Sequence, residues 1–248
     1  MEHAEIQTPY GATEAVPVIS ISSREILADT REMSESGYGT CIGRAINDIR
    51  VAVIGIDDDP IPRWSDSLRL PRGEIGELAV RGPLVTRSYY NRPEADKLGK
   101  IPDGDGFWHR MGDLAWQDDR DRFWFCGRKS HRVTTPRGPL FTIPCESIFN
   151  NHPAVFRSAL VGVGPRGRQV PVICIELHAG EAVTRKRRET IRDELLGMGQ
   201  ANECTKPIRN VLFHRSFPVD IRHNSKIFRE ILAKWAARRL SSSPKGSP

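Results

Sequence analysis

Four short segments carry most of the side chains in this sequence that could take part in chemistry. They are Tyr10–Glu14, Gly112–Asp113, Gly127–Arg128 and Asn224–Ile227. An ionised carboxylate can accept two hydrogen bonds, which fits a cis-diol, and carboxylate oxygens are ligands that Mg²⁺ prefers. Arginine and lysine supply positive charge for an anion. Each of these residue types could therefore contact an anion, a metal ion or a hydroxyl group, and none of the four segments is specific when taken alone.

Two of these residues also have an ordinary structural alternative. Asp113 follows a glycine, as many turn aspartates do, and Lys226 could be one more lysine in a basic tail. The separation of fifteen residues between Asp113 and Arg128 favours a functional pair over an isolated turn residue.

In their order along the chain, the four segments resemble the later motifs of the acyl-adenylate-forming superfamily, which includes acyl-CoA synthetases, peptide-synthetase adenylation domains and luciferases. The resemblance implies ATP and Mg²⁺ as cofactors. It implies that the Thr13 hydroxyl lies at the α-phosphate, that Glu14 is the Mg²⁺ ligand and that Tyr10 flanks the adenine. Gly11 would let the backbone approach the ligand closely.

The resemblance assigns the remaining motifs as well. Asp113 would bind the ribose hydroxyls, and Arg128 the ribose or a phosphate. Ser130, with Lys129 beside it, would be the hinge about which a small domain rotates between two poses. Lys226 would enter the site in the first pose and bridge the substrate carboxylate and the α-phosphate, a role that suits a mobile point charge.

Residues 134–140, with Gly138, would form a loop presented to the site in the second pose, and Glu146 matches a glutamate in the first helix of the small domain. The sequence departs from the acyl-CoA ligase pattern here, because Ser130 replaces the expected lysine or aspartate and residues 133–139 include two prolines. Proline restricts φ and removes a hydrogen-bond donor. The departure weakly favours an acceptor other than a thiol.

Longer strings, at residues 6–15, 124–129 and 218–224, resemble the olefin-biosynthesis β-lactone synthetases. The implied substrate is a long-chain 2-alkyl-3-hydroxy acid, whose adenylated carboxyl group is attacked by its own 3-hydroxyl to give a β-lactone. Other enzymes of the olefin pathway are candidate partners. His131 and His223 are candidate bases for that attack, although surface or packing roles are favoured for both.

The Ser/Thr/Gly-rich phosphate loop that precedes these motifs in the superfamily is absent from the sequence. We therefore interpret the chain as the C-terminal part of such an enzyme and expect little or no turnover by the chain alone. Two alternatives to the β-lactone synthetase stay open: a fatty acyl-CoA ligase of the same fold, and a non-catalytic fragment that binds a nucleotide or a partner.

Periodicity predicts an α/β (α+β) protein in two parts. Residues 1–129 are predicted to be the mostly β end of a large AMP-binding domain, 130–240 a small mobile α+β domain, and 241–248 a flexible tail. A loop-rich segment is expected up to residue 40. The predicted strands are 49–54, 76–82, 114–116, 122–126, 158–163, 170–177 and 208–213, and the predicted helices are 144–151, 185–196 and 225–240.

Composition narrows the function classes. The chain has 248 residues, of which 38% are hydrophobic, and it has no apolar run long enough for a membrane span, so a cytoplasmic protein is expected. Its five widely spaced cysteines predict buried reduced thiols. The net charge of +6 suits anionic substrates better than nucleic acid, since the basic run Arg185–Arg188 has no interleaved aromatic residues and predicts a solvated helix face.

Two further patterns are interpreted as turns. Gly162–Gly167 matches G-x-G-x-x-G after a strand, but another strand follows, whereas a dinucleotide site requires a helix there. The three carboxylates of Asp57–Asp59 could bind a metal, and a solvated turn is favoured over that reading.

Overall fold

The computed structural model describes residues 4–179, 184–220 and 223–242, and the side chains of all of these except 223–225 and 242. Contacts divide the chain into two compact units. The first unit runs to Ser34 and resumes over Tyr38–Ser130, and the second combines Glu35–Gly37 with the chain from His131 onward. The proposed domain boundary after residue 129, and the hinge at Ser130, stay predictions.

The first unit is built around one eight-stranded antiparallel sheet. Its order is β1-β2-β3-β8-β7-β5-β4, and β6 pairs with a separate stretch of β7. The strands are β1 (Gln7–Ala12), β2 (Ala15–Ser22), β3 (Thr40–Ala45), β4 (Arg50–Ile54), β5 (Gly76–Arg81), β6 (Lys100–Asp103), β7 (Gly106–Gln117) and β8 (Phe123–Arg128). The helices are α1 (Ser23–Glu25), α2 (Arg31–Met33) and α3 (Pro93–Gly99).

The prediction of a loop-rich segment up to residue 40 is wrong. Residues 7–22 form the β1–β2 hairpin, and residues 23–38 form α1, α2 and the π-helical turns Ile26–Thr30 and Ser34–Tyr38. The prolines of the hairpin interrupt the alternation of apolar and polar residues that would predict strands from the sequence. Pro9 is tolerated because β1 is an edge strand. Its open side has no neighbouring strand, so the missing N–H costs no inter-strand hydrogen bond there.

Strand β3 changes partners halfway along its length. Its first residues pair with β8, with Cys41 opposite Trp124, and its last residues pair with β2, with Ala45 opposite Ile19. The change occurs at Gly43, where φ is +94° and an added Cβ would lie 1.9 Å from the carbonyl oxygen of Ser20. Only glycine can therefore occupy this bend, which lets the sheet turn a corner.

The central strands β7 and β8 pair as predicted around the turn at residues 118–121, with Trp116 opposite Trp124. Strand β7 begins eight residues earlier than predicted. The indoles of Trp116 and Trp124 stack with ring centroids 5.4 Å apart. The predicted strands 49–54 and 76–82 are confirmed as β4 and β5.

A buried ion cluster joins β5 to β7. The Glu77 and Arg110 side chains are 1% and 2% exposed, and Glu77 Oε2 accepts hydrogen bonds from Arg110 Nε at 3.1 Å and Nη2 at 2.7 Å. Lys129 Nζ donates to the same oxygen at 2.9 Å. Arg110 also donates to the backbone carbonyls of Asp57, Asp59 and Leu98. One arginine therefore ties the loop after β4 and the C-terminal end of α3 to the sheet.

The second unit contains a three-stranded sheet in the order β11-β12-β13, in which β12 and β13 are parallel. The strands are β9 (Val133–Thr135), β10 (Gly138–Leu140), β11 (Val155–Val163), β12 (Val170–Leu177), β13 (Asn210–Phe213), β14 (Val219–Asp220) and β15 (His223–Ile227). The helices are α4 (Thr142–Asn150), α5 (Arg185–Gln200) and α6 (Arg229–Ser242). Helix α5 makes the crossover that joins the parallel strands.

Several predictions for the second unit are confirmed. The strands 158–163, 170–177 and 208–213 correspond to β11, β12 and β13, and helix 185–196 to α5. Gly162–Gly167 lies at the antiparallel connection between β11 and β12, so it is a hairpin and not a dinucleotide motif. Helix α4 begins two residues before Pro144, which lies in its first turn.

Two predictions need correction. The loop at residues 134–140 is part of the β9–β10 hairpin. The predicted helix 225–240 is wrong at its start, because residues 225–227 belong to β15, which pairs with β14, and α6 begins at Arg229. At the start of this helix, the Arg229 guanidinium pairs with the buried carboxylate of Glu146. The predicted tail is helical to Ser242, and residues 243–248 lie outside the described chain.

Four of the five cysteines are buried, Cys204 is half-buried, and all five are free thiols, as predicted. No helix in the described part of the chain is long and apolar enough to cross a membrane. Within the same residues, no group of three or more His, Cys, Asp or Glu side chains is arranged to hold a metal ion.

We predict that Arg110→Met destabilises the first unit by about 3–5 kcal/mol, because it leaves the Glu77 carboxylate buried with one cationic partner fewer. Urea unfolding followed by tryptophan fluorescence measures the change. Lys97→Met is the matched control, since it removes the exposed Lys97–Glu94 pair from the same unit and should change the midpoint little. Equal losses in the two variants would contradict a special role for the buried pair.

Candidate active site

The segment Tyr10–Glu14 lies at the tip of the β1–β2 hairpin. The pairing register shifts between Tyr10 and Ala12, so Gly11 forms a bulge. A Cβ at Gly11 would lie 2.5 Å from the carbonyl oxygen of Ala15. The hairpin itself therefore requires a glycine here, independently of any ligand. Thr13 is exposed in the turn that follows.

Tyr10, Asp113 and Arg128 lie together in the structure. Asp113 on β7 is directly opposite Arg128 on β8, and Arg128 Nε lies 3.1 Å from Asp113 Oδ1. The Tyr10 hydroxyl donates to Asp113 Oδ2 at 2.5 Å. Strands β1 and β7 are four steps apart in the sheet order, about 19 Å in a flat sheet. The corner in the sheet is what brings these residues together.

The Asp113 carboxylate is buried but incompletely satisfied. Although Arg128 Nε is close, Oδ1 accepts no hydrogen bond of good geometry from any described residue. Burial raises the pKa of Asp113, although the Tyr10 hydroxyl and the Arg128 charge act in the opposite direction. A buried carboxylate oxygen without a donor costs free energy. The predicted role fits this arrangement, since a ligand hydroxyl would supply the missing donor.

Glu14 lies in a second group of polar residues, which the sequence did not predict. The Tyr89 hydroxyl donates to Glu14 Oε1 at 3.0 Å, and the backbone amide of Thr86 donates to the Glu14 carbonyl oxygen at 2.8 Å. Burial raises the pKa of Glu14, but hydrogen bonds and the nearby Lys100 outweigh burial, and the net pKa is lowered. The carboxylate is therefore ionised at neutral pH and has the charge that a Mg²⁺ ligand needs.

Two basic side chains lie beside Glu14. Burial lowers the pKa of Lys100, whose ammonium group donates to the carbonyl oxygen of Thr86 at 2.5 Å. Burial also lowers the pKa of His109 to about 4, so its imidazole is neutral at pH 7. His109 Nδ1 lies 3.0 Å from the carbonyl oxygen of Gly99, and a carbonyl only accepts, so Nδ1 carries the proton.

Tyr89 could not be recognised from the sequence because its partner lies 75 residues away. The segment between β5 and α3 contains two adjacent tyrosines, and the sequence does not show which one points inward. Tyr90 is 91% exposed, whereas burial and the Glu14 carboxylate raise the pKa of Tyr89 to about 12.

Lys226 belongs to the second unit, where its side chain is exposed on β15. Three contacts hold the base of this hairpin. The Phe228 amide donates to the Pro218 carbonyl at 2.9 Å, the Phe217 amide to Glu176 Oε2 at 2.7 Å, and Arg229 Nη2 to Glu146 Oε2 at 2.9 Å. Glu146 thus anchors the element that follows Lys226.

The other predicted site residues are less informative. Ser130 is exposed in a 3₁₀ turn, Lys129–His131, directly after β8. His131 is half-buried. His223 lies on β15, and its side chain is outside the description. The Arg185–Arg188 run is on the first turn of α5 and largely exposed, as predicted.

No protein-family model matches the chain. Sequence comparison finds two proteins named olefin beta-lactone synthetase. The one from Xanthomonas campestris pv. campestris is 48% identical over 95% of this chain and 43% of its own length, and the one from Stenotrophomonas maltophilia is 46% identical over 96% and 43%. A 4-coumarate–CoA ligase from Nicotiana tabacum is 27% identical over 73% of the chain and 31% of its own length.

Structure comparison finds the same fold. ATP-bound MatB from Rhodopseudomonas palustris has a TM-score of 0.70 at 22% identity, over 94% of this chain and 41% of that protein. O-succinylbenzoate coenzyme A synthetase MenE from Bacillus subtilis, in complex with ATP and magnesium ion, has a TM-score of 0.65 at 20% identity, over 91% and 41%.

The chain belongs to the acyl-adenylate-forming superfamily. The predicted fold class, a mostly β part followed by a small α+β part, is confirmed, because solved structures of the superfamily share this fold. The chain spans less than half the length of the superfamily proteins that it matches. The roles assigned to individual residues stay predictions.

We predict that Tyr89→Phe raises the pKa of Glu14, because the ionised carboxylate loses a donor. Carbon-13 NMR titration of the glutamate carboxyl signals measures this, with Glu14 assigned by comparison with Glu14→Gln. Tyr90→Phe is the control and should leave the titration unchanged.

A stability effect accompanies this shift. The pKa of Glu14 is lower in the folded state, so ionised Glu14 stabilises the fold above its unfolded-state pKa, and this contribution is lost as the pH falls through the folded-state pKa. Tyr89→Phe should therefore lose stability at pH 7 and approach the parent protein in acid. A constant loss at every pH would point to packing instead.

Proposed function

We propose that this chain is part of an ATP-dependent ligase that activates the carboxyl group of a long-chain 2-alkyl-3-hydroxy acid as an acyl-adenylate and closes it to a β-lactone. Identity of 46–48% with two proteins named olefin beta-lactone synthetase, over almost the whole chain, is the observation that carries the proposal. The buried Asp113 carboxylate with an unsatisfied oxygen supports nucleotide binding at the Tyr10–Asp113–Arg128 group.

The first step joins the acid to the nucleotide. A carboxylate oxygen of the substrate attacks the α-phosphorus of ATP, and pyrophosphate leaves. We assign Asp113 and Arg128 to the ribose, Thr13 to the α-phosphate and Lys226 to the bridge between the carboxylate and the α-phosphate. A lysine delivers a positive charge and three donors to the place where negative charge develops.

Mg²⁺, when bound, would neutralise charge on the phosphate oxygens, and Glu14 is the residue proposed to hold it. The lowered pKa of Glu14 supports this assignment, since the carboxylate is ionised without the metal. Tyr89 orients the carboxylate by occupying one of its oxygens.

The second step closes the ring. The 3-hydroxyl oxygen attacks the acyl carbon, AMP leaves and the hydroxyl proton passes to a base. Because both groups belong to one bound molecule, the attack is unimolecular, and such proximity contributes up to about 7–11 kcal/mol in favourable cases. His131 and His223 remain candidates for the base.

An acyl-CoA ligase is the second candidate, supported by the similarity to 4-coumarate–CoA ligase. A non-catalytic fragment that binds a nucleotide or a partner is the third, since the chain spans 43% of the length of its relatives. The three candidates differ in whether AMP is released and in whether CoA appears in the product.

A chimera tests the proposal. The N-terminal part of the Xanthomonas campestris relative is joined ahead of this chain at the matching position, and the product is incubated with ATP, Mg²⁺ and a 2-alkyl-3-hydroxy acid. We expect AMP and a β-lactone, identified by mass spectrometry, whether or not CoA is added. A CoA thioester would favour the ligase, and nucleotide binding without AMP release would favour the non-catalytic fragment.

Within the chimera, we predict that Lys226→Ala lowers the rate of AMP release by about 100-fold or more, the size expected for loss of one donor to a developing charge. ATP affinity should change little, because the proposed lysine acts mainly in the transition state. Lys234→Ala, at an exposed lysine of α6, is the control and should keep the parent rate. Similar rates in the two variants would remove Lys226 from the mechanism.

A further inference from the structure

The second unit contains a cavity that none of the proposed roles uses. Its volume is about 450 Å³, within the range of small-molecule sites. The cavity, called the arginine pocket below, is lined by the cationic side chains Arg188, Arg215 and Arg239 and by the rings of Phe213, His214 and Trp235. None of the lining residues that the structure describes is acidic.

The position of the arginine pocket in the fold is that of a ligand site. Strands β12 and β13 are parallel, and the pocket is lined by residues at and just beyond their carboxyl ends, such as Leu177 and His214. Helix α5 contributes Arg188, from its first turn, to the same pocket. Ligands of open α/β sheets bind outside the carboxyl ends of parallel strands, and helix N-termini attract anions.

The positive side chains at this edge are electrostatically unfavourable for helix α5. Residues with positive charge are disfavoured near a helix N-terminus, yet the first turn of α5 contains four basic residues and no acidic one. Arg188 and Arg215 form no ion pair with a described residue. Glu189 of α5 pairs with Arg185 at 3.0 Å, and Glu194 lies 3.0 Å from His152 and 3.9 Å from Arg187, so neither of these carboxylates neutralises Arg188. An anion in the pocket would relieve this repulsion.

The aromatic residues of the pocket indicate which chemical group would carry the anion. Trp235 and Phe213 are half-buried beside the arginines. The His214 ring meets Trp235 edge-on with centroids 4.6 Å apart, which holds the indole in place, and the Arg239 guanidinium lies 5.8 Å from the same indole. A flat ring packs against such a surface, while guanidinium groups bind phosphate through paired hydrogen bonds.

We propose that the arginine pocket is a binding site for a small aromatic phosphate, with Arg188 and Arg215 on the phosphate and Trp235 against the ring. The pocket uses none of the residues assigned to adenylation, so its test is independent of the proposed function.

The experiment is calorimetric titration of the 248-residue chain with phenyl phosphate and with methyl phosphate at constant ionic strength. We expect phenyl phosphate to bind with a Kd below about 1 mM and several-fold more tightly than methyl phosphate. Arg188→Gln with Arg215→Gln should weaken phenyl phosphate binding by about tenfold or more. Arg185→Gln with Arg238→Gln removes the same charge from α5 and α6 outside the pocket and should change the Kd less than about twofold.

A second readout locates the ligand without any change to the arginines. The indole N–H signal of Trp235, assigned from Trp235→Phe, should shift on addition of phenyl phosphate, and the signals of the other four tryptophans should not. No binding by the parent chain, equal affinity for the two phosphates, equal losses in the two double variants, or an unmoved Trp235 signal would each overturn the proposal.

Discussion

The hydrogen bond between Tyr10 and Asp113 depends on a change of direction in the sheet. Their strands are separated by β2, β3 and β8, so a flat sheet would hold them far apart. The contact exists because β3 leaves β8 and joins β2 at Gly43, the one position of that strand with no room for a side chain. The bend brings Tyr10 of an edge hairpin to Asp113 of a central strand, and Glu14 is carried to its own partners by the same hairpin.

Each of the two units contains a buried glutamate that is paired with an arginine. A buried glutamate, Glu77 in the first unit and Glu146 in the second, accepts several hydrogen bonds and holds an arginine. Arg110 also holds the loop after β4 and the end of α3, and Arg229 links the start of α6 to Glu146. Such pairs add little net stability relative to apolar packing, but they tolerate only one arrangement of their surroundings. Glu77 also binds Lys129, and Arg229 follows the proposed functional residue Lys226 by three positions.

Much of the fold was predictable because it is local. The alternation of β4 and β5, the turn between β7 and β8 and the periodicity of α5 are all visible in short windows of sequence. The errors arose where contacts between residues far apart in the sequence determine the secondary structure. Residues 225–227 are predicted as helix from the sequence, but they belong to β15, which pairs with β14, and α6 begins only at Arg229. The prolines of the first hairpin led to a different error, because β1 and β2 were predicted as a loop-rich segment.

The residues of the candidate site also fall into those that the sequence could predict and those that it could not. Residues of recognisable motifs, such as Asp113 and Arg128, could be named from the sequence, and the structure places these two opposite each other. Tyr89, Lys100 and His109 could not, because they belong to no motif and reach Glu14 only through the path of the chain. Their effect on Glu14 is electrostatic, and it depends on burial that a sequence does not display.

The basic first turn of α5 has a practical consequence for anyone who handles the protein. Repulsion between its four positive charges and the positive end of the helix is long-ranged in dilute solution and shrinks as counter-ions accumulate. The melting temperature of this unit should therefore depend on the buffer anion, and a value obtained in phosphate is not interchangeable with one obtained in a low-salt amine buffer.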